Sequence, residues 1–404
     1  RPVVLHASDH HTIWVNSLAL QLGEVASAVG KIEGIDVDPS GLPSGVLREP
    51  EAMNLVLSKI PELDEQTQVD QLRGALKHLL GLGIVECQDA WINPGMAEIY
   101  LSLARSNSLP ITVHMAFRAP PESWQQILSY AIGIRETLRT EQLEHLHANT
   151  VKFFMDGVFG SATAHVLDPY LGHDAPHPNG SPVWNIDQLR EAAAAFDRAG
   201  FQLHLHAIGD AGIRSALDVI ESLGERNSQF SPVIAHCELI DDADLPRFAK
   251  LGVIANMQPL WAQLDGMLQS CIPHLGPERI DRMYPMKSLI SSGATVSFGS
   301  DWPVSSPDPL LGISTAISRQ TSDGKPEGGW VPSESISFDE AVTAYSSKVH
   351  AQLRAARSTT YEIVEPVDFL VFDGAKVPET ASQVRDLNLL AVIHNAKFVA
   401  VGGS

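Results

Sequence analysis

After residue 60 the sequence settles into an alternation that leaves few folds open. Helical stretches carry apolar residues at three- and four-residue spacing, as in "QVDQLRGALKHLLGLG", and stop at a glycine. Each leads into a short apolar run: "GIVECQDA", "LPITVHMAFR", "VKFFMDG", "FQLHLHAIGD", "PVIAHCELI", "GVIANMQPL" and "ATVSFGSDWPV". Near-continuous apolar strands separated by helices predict an α/β fold, with a parallel sheet covered on both faces. Such a series suits a closed (β/α)8 barrel lacking one strand, or a doubly wound open sheet. No GxGxxG follows any of the runs, which weakens the dinucleotide-binding form of the open sheet. At 404 residues the length fits a single α/β barrel with insertions.

Three regions fall outside the alternation. Residues 1–60 hold one amphipathic segment, "TIWVNSLALQLG", and a turn-rich "KIEGIDVDPSGLPSGVLRE" that reads as a hairpin. Residues 158–184 are rich in Gly, His and Pro and too long for an ordinary βα loop, so a mobile lid is expected there. From about residue 361 the tail reads as β-strands after the last helix, the C-terminal part of a small β-domain. The expected division is a barrel over 1–360 and this β-domain over 361–404.

A net charge of −20, spread along the chain, argues against nucleic acid or an anionic membrane surface as a partner, since both need a basic face. No apolar run is long enough to span a bilayer. The three cysteines, Cys87, Cys237 and Cys271, are far apart and form no CxxC, which points to a reducing cytoplasm rather than a disulfide framework or a zinc-thiolate site. Cys237 follows His236 directly. Neighbours on a strand point to opposite faces, so the two do not read as nucleophile and base. A serine hydrolase is disfavoured as well, because no GxSxG elbow occurs.

Polar side chains gather where the apolar runs stop. Lys152 interrupts "VKFFMDG", His206 ends "HLHA", His236 ends "VIAH" and Asp301 ends "SFGSD". In a (β/α)8 barrel the C-terminal strand ends build the active site. Any one of these residues alone reads as structural; two histidines and an aspartate at successive strand ends favour a divalent metal centre, and such ligands suit zinc. Lysine is rarely buried without a partner. From spacing alone, pairing of Lys152 with Asp156 or snorkelling to the rim is the better reading. Burial can also depress a lysine pKa by about 3–5 pH units, and a neutral amine can take up CO2 as an anionic carbamate.

Several of these stretches resemble the amidohydrolase superfamily, in its family 3 (YtcJ-like) branch: "DHHTIWVNSLAL", "GVLRE", "VKFFMDGVFGSATA", "HAIGDAGIRSALD", "IAHCELI", "MQPLWA" and "FGSDWPVSSPDPL". The resemblance runs through nearly the whole chain. It implies a TIM-like barrel in which Lys152 is a carbamylated bridging ligand, His206 and His236 bind metal, and Asp301 is both a ligand and the base for the attacking water. His11 would face the substrate, with Trp302 and Phe159 as candidates for the pocket wall, each equally readable as core. The implied reaction is hydrolysis of an amide-type C–N bond, other than a peptide bond, in a small molecule, with His236 or His11 bonding the developing oxyanion.

The resemblance also implies a first strand ending in His-x-His, upstream of "RPVVL". "HLH" at 204–206 belongs to a later strand, and "HASDHH" has the wrong spacing. The chain is therefore expected to lack its first barrel strand, two metal ligands and half of the β-domain. It would hold one zinc, or two if the missing ligands were supplied, and a second copy of the chain is one way to fill the gap. The alternative reading is an inactive or regulatory barrel that binds small molecules without turnover.

Overall fold

The computed structural model describes residues 1–7, 12–61, 63–172, 177–354, 368–374, 376–394 and 397–400. It falls into two compact units, Arg1–Gln68 with Asp301–Ser306, and Val69–Ser300 with Pro307–Ser404.

The first unit is built on an antiparallel sheet of β1 (Val4–His6), β2 (Thr12–Val15), β3 (Ile35–Val37) and β4 (Pro43–Arg48), in the order β1-β2-β4-β3. In "TIWV" Ile13 and Val15 turn into the core while Trp14 is 61% exposed, the alternation a half-buried strand requires. The pattern changes at Asn16, whose side chain accepts from the Ala19 N–H and starts the helix Ser17–Leu22. The segment read as one amphipathic element is thus a strand and a helix joined at a cap. The hairpin is present: β3 pairs with β4, and in its turn Asp38 Oδ1 accepts from the Ser40 and Leu42 amides. Ile13, Val15, Leu47, Met53 and Val56 form this unit's own core.

In the second unit seven strands form one parallel sheet: β5 (Glu86–Ile92), β6 (Thr112–Arg118), β7 (Leu146–Phe154), β8 (Gln202–Ala207), β9 (Val233–His236), β10 (Ile254–Met257) and β11 (Thr295–Phe298). Their spatial order is their chain order. A doubly wound sheet reverses its order at a switch point; this one never does, and the open-sheet alternative falls. The sheet is also curled. Gln352, in the helix Ser347–Leu353, donates from Nε2 to Gln88 of β5 at 3.1 Å, while its Oε1 accepts from Ser297 of β11 at 2.5 Å. One side chain thereby ties the first strand to the last across the interior. The fold is an α/β TIM-like barrel in which seven strands are described.

The outer face of the sheet packs on helices through aromatic edges. Phe153 of β7 meets Trp184 and Phe196, the latter in the helix Ile186–Arg198. A small antiparallel sheet of β12 (Phe369–Phe372), β13 (Leu389–His394) and β14 (Lys397–Ala400) follows near the C-terminus. The boundary expected at residue 360 lies outside the described residues. Among the described residues no helix is long and apolar enough to cross a membrane.

Candidate functional site

Strand alternation decides what faces the barrel interior. On β7, Val151 and Phe153 point to the helices, so Lys152 and Phe154 point inward; on β8 the inward set is Gln202, His204 and His206. Lys152 is 3% exposed, with its Nζ 5.4 Å from the Phe154 ring centre. Phe154 stacks on the His206 imidazole at 4.8 Å.

Register alone would keep His236 apart from His206. His236 is opposite Ala207, whereas His206 is opposite Ala235, so a regular strand would send the two histidines to different faces. Instead His236 leaves the extended conformation, with φ of +77°, and Cys237 follows at +51°. This left-handed step is uncommon for side chains with a Cβ and marks a constrained site. It brings the two imidazoles together, 4.5 Å between centres and 68° between planes. Trp261 stacks parallel on the His236 ring, 5.5 Å between centres. Cys237 is buried, its Sγ donates to the Ile234 carbonyl, and burial pushes its thiol well above the ordinary range, so it is not a nucleophile.

Hydrogen bonds set the tautomers. Gln258 Nε2 donates to Asn256 Oδ1, which leaves Gln258 Oε1 to accept from His236 Nδ1 at 2.8 Å. His236 therefore carries its proton on Nδ1 and its lone pair on Nε2. Its neighbour on β8 is set from below. Gln202 Nε2 donates to the carbonyls of Ser231 and Gln352, so Gln202 Oε1 must accept, and Gln88 Nε2 points to it. Gln88 Oε1 then accepts a hydrogen bond from His204 Nδ1 at 2.8 Å. His204 Nε2 is buried with no hydrogen-bond partner, and burial holds this imidazole well below its ordinary pKa.

Asp156 holds the rim. Its carboxylate accepts from the backbone N–H groups of His165, Ile208 and Gly209, and lies 3.6 Å from His206 Nε2. Burial raises its pKa to about 7 against the opposing pull of those three donors. Other backbone bonds fasten the long 158–184 segment. The His165 carbonyl accepts from Ala211 and Gly212, and Ser181 and Val183 bond back to Thr163 and Met155. Gly180, at φ +78°, permits a turn in which any Cβ would collide with the Ala164 carbonyl. Here glycine allows close packing, and the described part of this segment is bonded in place instead of hanging as a loose lid. Residues 173–176 lie outside the described residues.

Among the described residues no group of three or more His, Cys, Asp or Glu side chains is arranged to hold a metal ion. Two adjacent imidazoles, with a buried lysine on the neighbouring strand, match the donor chemistry of a divalent centre in part.

The sequence profile of the amidohydrolase family matches residues 1–400. The chain belongs to the amidohydrolase family. Over 363 residues it is 31% identical to Protein LONG AFTER FAR-RED 3 of Arabidopsis thaliana, covering 85% of this chain and 59% of that protein. It thus spans well under two thirds of that relative's length. It is 25% identical over 399 residues to the N-substituted formamide deformylase of Arthrobacter pascens, covering 96% of this chain and 71% of that one. An uncharacterized metal-dependent hydrolase from Pyrococcus horikoshii OT3 shares the fold, with a TM-score of 0.67 at 24% identity over 87% of this chain and 68% of that one.

In this amidohydrolase chain Lys152, His206 and His236 all belong to the second unit, on three successive strands. Asp301 and Trp302 belong to the first unit and are both exposed, Trp302 at 41%. Asp301 adopts a left-handed backbone, φ +53°, three residues beyond the end of β11. His11 lies outside the described residues. Phe159 is buried in a short turn, edge-on to Tyr170, which is a core environment. The sequence reading missed the roles of Gln258, His204 and Gln88. "MQPLWA" and "HLH" were the visible signals, but the hydrogen bonds that give them meaning cross the barrel.

Proposed function

We propose that this chain is the barrel of a metal-dependent hydrolase that opens an amide-type C–N bond, other than a peptide bond, in a small molecule. The observation that supports it most is the His206–His236 contact, made by a left-handed step that a purely structural strand end has no need of. The deformylase relative adds weight to the C–N bond as the target.

By the family resemblance Lys152, His206, His236 and Asp301 would hold a divalent metal, with zinc the expected ion. Such a metal, when bound, lowers the pKa of water from 15.7 to about 7 and polarises a substrate carbonyl. The Lys152 amine adds its lone pair to the carbon of CO2 and loses one proton to solvent. The product is an anionic carbamate that keeps one N–H and offers two oxygens. Gln258 keeps the His236 lone pair on Nε2, the nitrogen proposed as the donor. Asp301 takes the proton of the attacking water and passes it to the leaving amine. His11 and Trp302 contact the substrate, while Phe159 acts from the core by holding the turn after β7.

The test is Lys152→Ala. It should lose bound metal and turnover of simple N-formyl and N-acyl compounds, with short carboxylic acids partly restoring both. Full metal and activity in this variant would make Lys152 structural. A wild-type protein that binds metal yet turns over no such compound would favour the non-catalytic reading.

A further inference from the structure

Arg118 ends β6 and lies beside Lys152 in register, so it shares the inward face at the same end of the barrel. Its guanidinium carbon sits 4.9 Å from the Trp91 ring centre and 5.9 Å from that of Phe154. Those two rings meet edge to face at 4.8 Å, and Phe154 is the ring stacked on His206. The guanidinium and the His206 imidazole thus both approach the same ring, Phe154.

What it lacks is an acceptor. Among the described residues nothing hydrogen-bonds the Arg118 side chain, and its Nε is buried and unpartnered. Arg319, a fully buried guanidinium, shows the contrast. It also packs on a ring, Trp330, but donates to the carbonyls of Met283, Tyr284 and Trp330. The carboxylate that acts on Arg118 is Glu122, which is exposed and forms no ion pair with it. Burial disfavours the charged form of Arg118, yet a guanidinium stays protonated in proteins. A charge left unpaired among aromatic faces is costly to the fold, and Trp91, itself 45% exposed, leaves one side open to solvent.

We propose that Arg118 is the anion-binding residue of this site, and that the ligand carries a carboxylate or a similar planar oxyanion beside its amide. The guanidinium fork matches two oxygens at once, which a lysine cannot do. Trp91 and Phe154 hold the fork flat and exclude water from one side. With Phe154 touching both Arg118 and His206, the ligand class is a small acid, such as an N-acyl amino acid, with its carboxylate on Arg118 and its amide near the histidines. This deepens the hydrolase reading and rests on it for the amide, but not for the anion.

The experiment uses metal-stripped protein, so that binding is read without turnover. N-benzoylglycine and its carboxamide, benzoylglycinamide, are titrated by calorimetry and by tryptophan fluorescence. Wild type should bind the acid about tenfold or more tightly than the amide, as a charge-assisted hydrogen-bonded pair would give. Arg118→Met should erase the preference, Arg118→Lys should keep only part of it, and Glu122→Gln should leave it intact. Thermal unfolding is measured beside these, because methionine keeps the ring packing. Arg118→Met should unfold at the same temperature as wild type or higher. The proposal is overturned if wild type does not prefer the acid, binding neither included, if the preference survives Arg118→Met, or if that variant unfolds several degrees lower. A protein that binds the acid through Arg118 but takes up no metal would sink the hydrolase reading and leave this one standing.

Discussion

Two layers of buried and half-buried polar side chains cross the interior of the barrel, and they are built on opposite principles. The lower layer is Gln88, Thr150, Gln202, Asn256, Ser297 and Gln352, all uncharged, each bonded to at least one other member. The upper layer is Arg118, Lys152, His204, His206 and His236, all ionisable, and two of its members carry buried atoms without a partner. A satisfied amide network is rigid and chemically inert. A layer in which buried atoms of Arg118 and His204 go unpartnered is where a ligand belongs. The two are connected: Gln88 bonds His204, and Asn256 reaches His236 through Gln258. The lower layer dictates which nitrogen the upper layer offers.

If that division is right, changes above should remove chemistry and spare the fold, while changes below should do the reverse. The largest effect is expected at Asp301, the proposed proton shuttle, which belongs to neither layer. Asp301→Asn should cut kcat by about 10²–10⁴-fold with an unchanged unfolding midpoint, since the residue is exposed. Metal is quantified on the same sample. Near-normal kcat at full occupancy would move the role elsewhere, with His236 next in line.

The lower layer should answer differently. Gln202→Leu strips partners from Gln88, Thr150 and two backbone carbonyls. Each unsatisfied buried group costs about 1–3 kcal/mol, so chemical denaturation should show a loss of about 3 kcal/mol or more. A variant as stable as wild type would mean that the network is not structural.

The smallest effect is invisible at neutral pH. His147 stacks on His114 at 4.4 Å near the strand starts, and burial, aided by the positive charge of His114 and Arg354, lowers its pKa to about 3. The unfolded chain binds a proton there below the ordinary value of about 6.5, which the folded chain refuses. Stability linked to His147 is therefore complete above about pH 6.5 and is lost as the pH falls toward 3. His147→Gln should flatten the slope of unfolding free energy across that window. Parallel slopes for wild type and variant would show that His147 titrates as freely folded as unfolded.

The barrel was legible because its strands bury apolar side chains on the helix side without a break. "VKFFMDG" announced β7, although the strand begins five residues earlier at Leu146, where alternating "LHANT" hides it. Lys152, His206 and His236 were legible as polar residues ending apolar runs. Their arrangement was not. The Gln352–Gln88 bond closes over 264 residues of sequence, and nothing local in "VIAHC" foretells a left-handed step at a histidine. The Gly- and Pro-rich 158–184 segment misled for a related reason. The same residues that loosen an exposed loop permit the tightest turns in a packed one.

The central claim is that the His206–His236 contact is a metal centre. Crystals of the protein grown with zinc, measured on both sides of the zinc absorption edge, test it most directly. The account predicts an anomalous peak about 2.0–2.1 Å from a ring nitrogen of each histidine, with Lys152 reaching toward it. Zinc bound only elsewhere on the chain, with His206 and His236 packed ring to ring and no density between them, would contradict it.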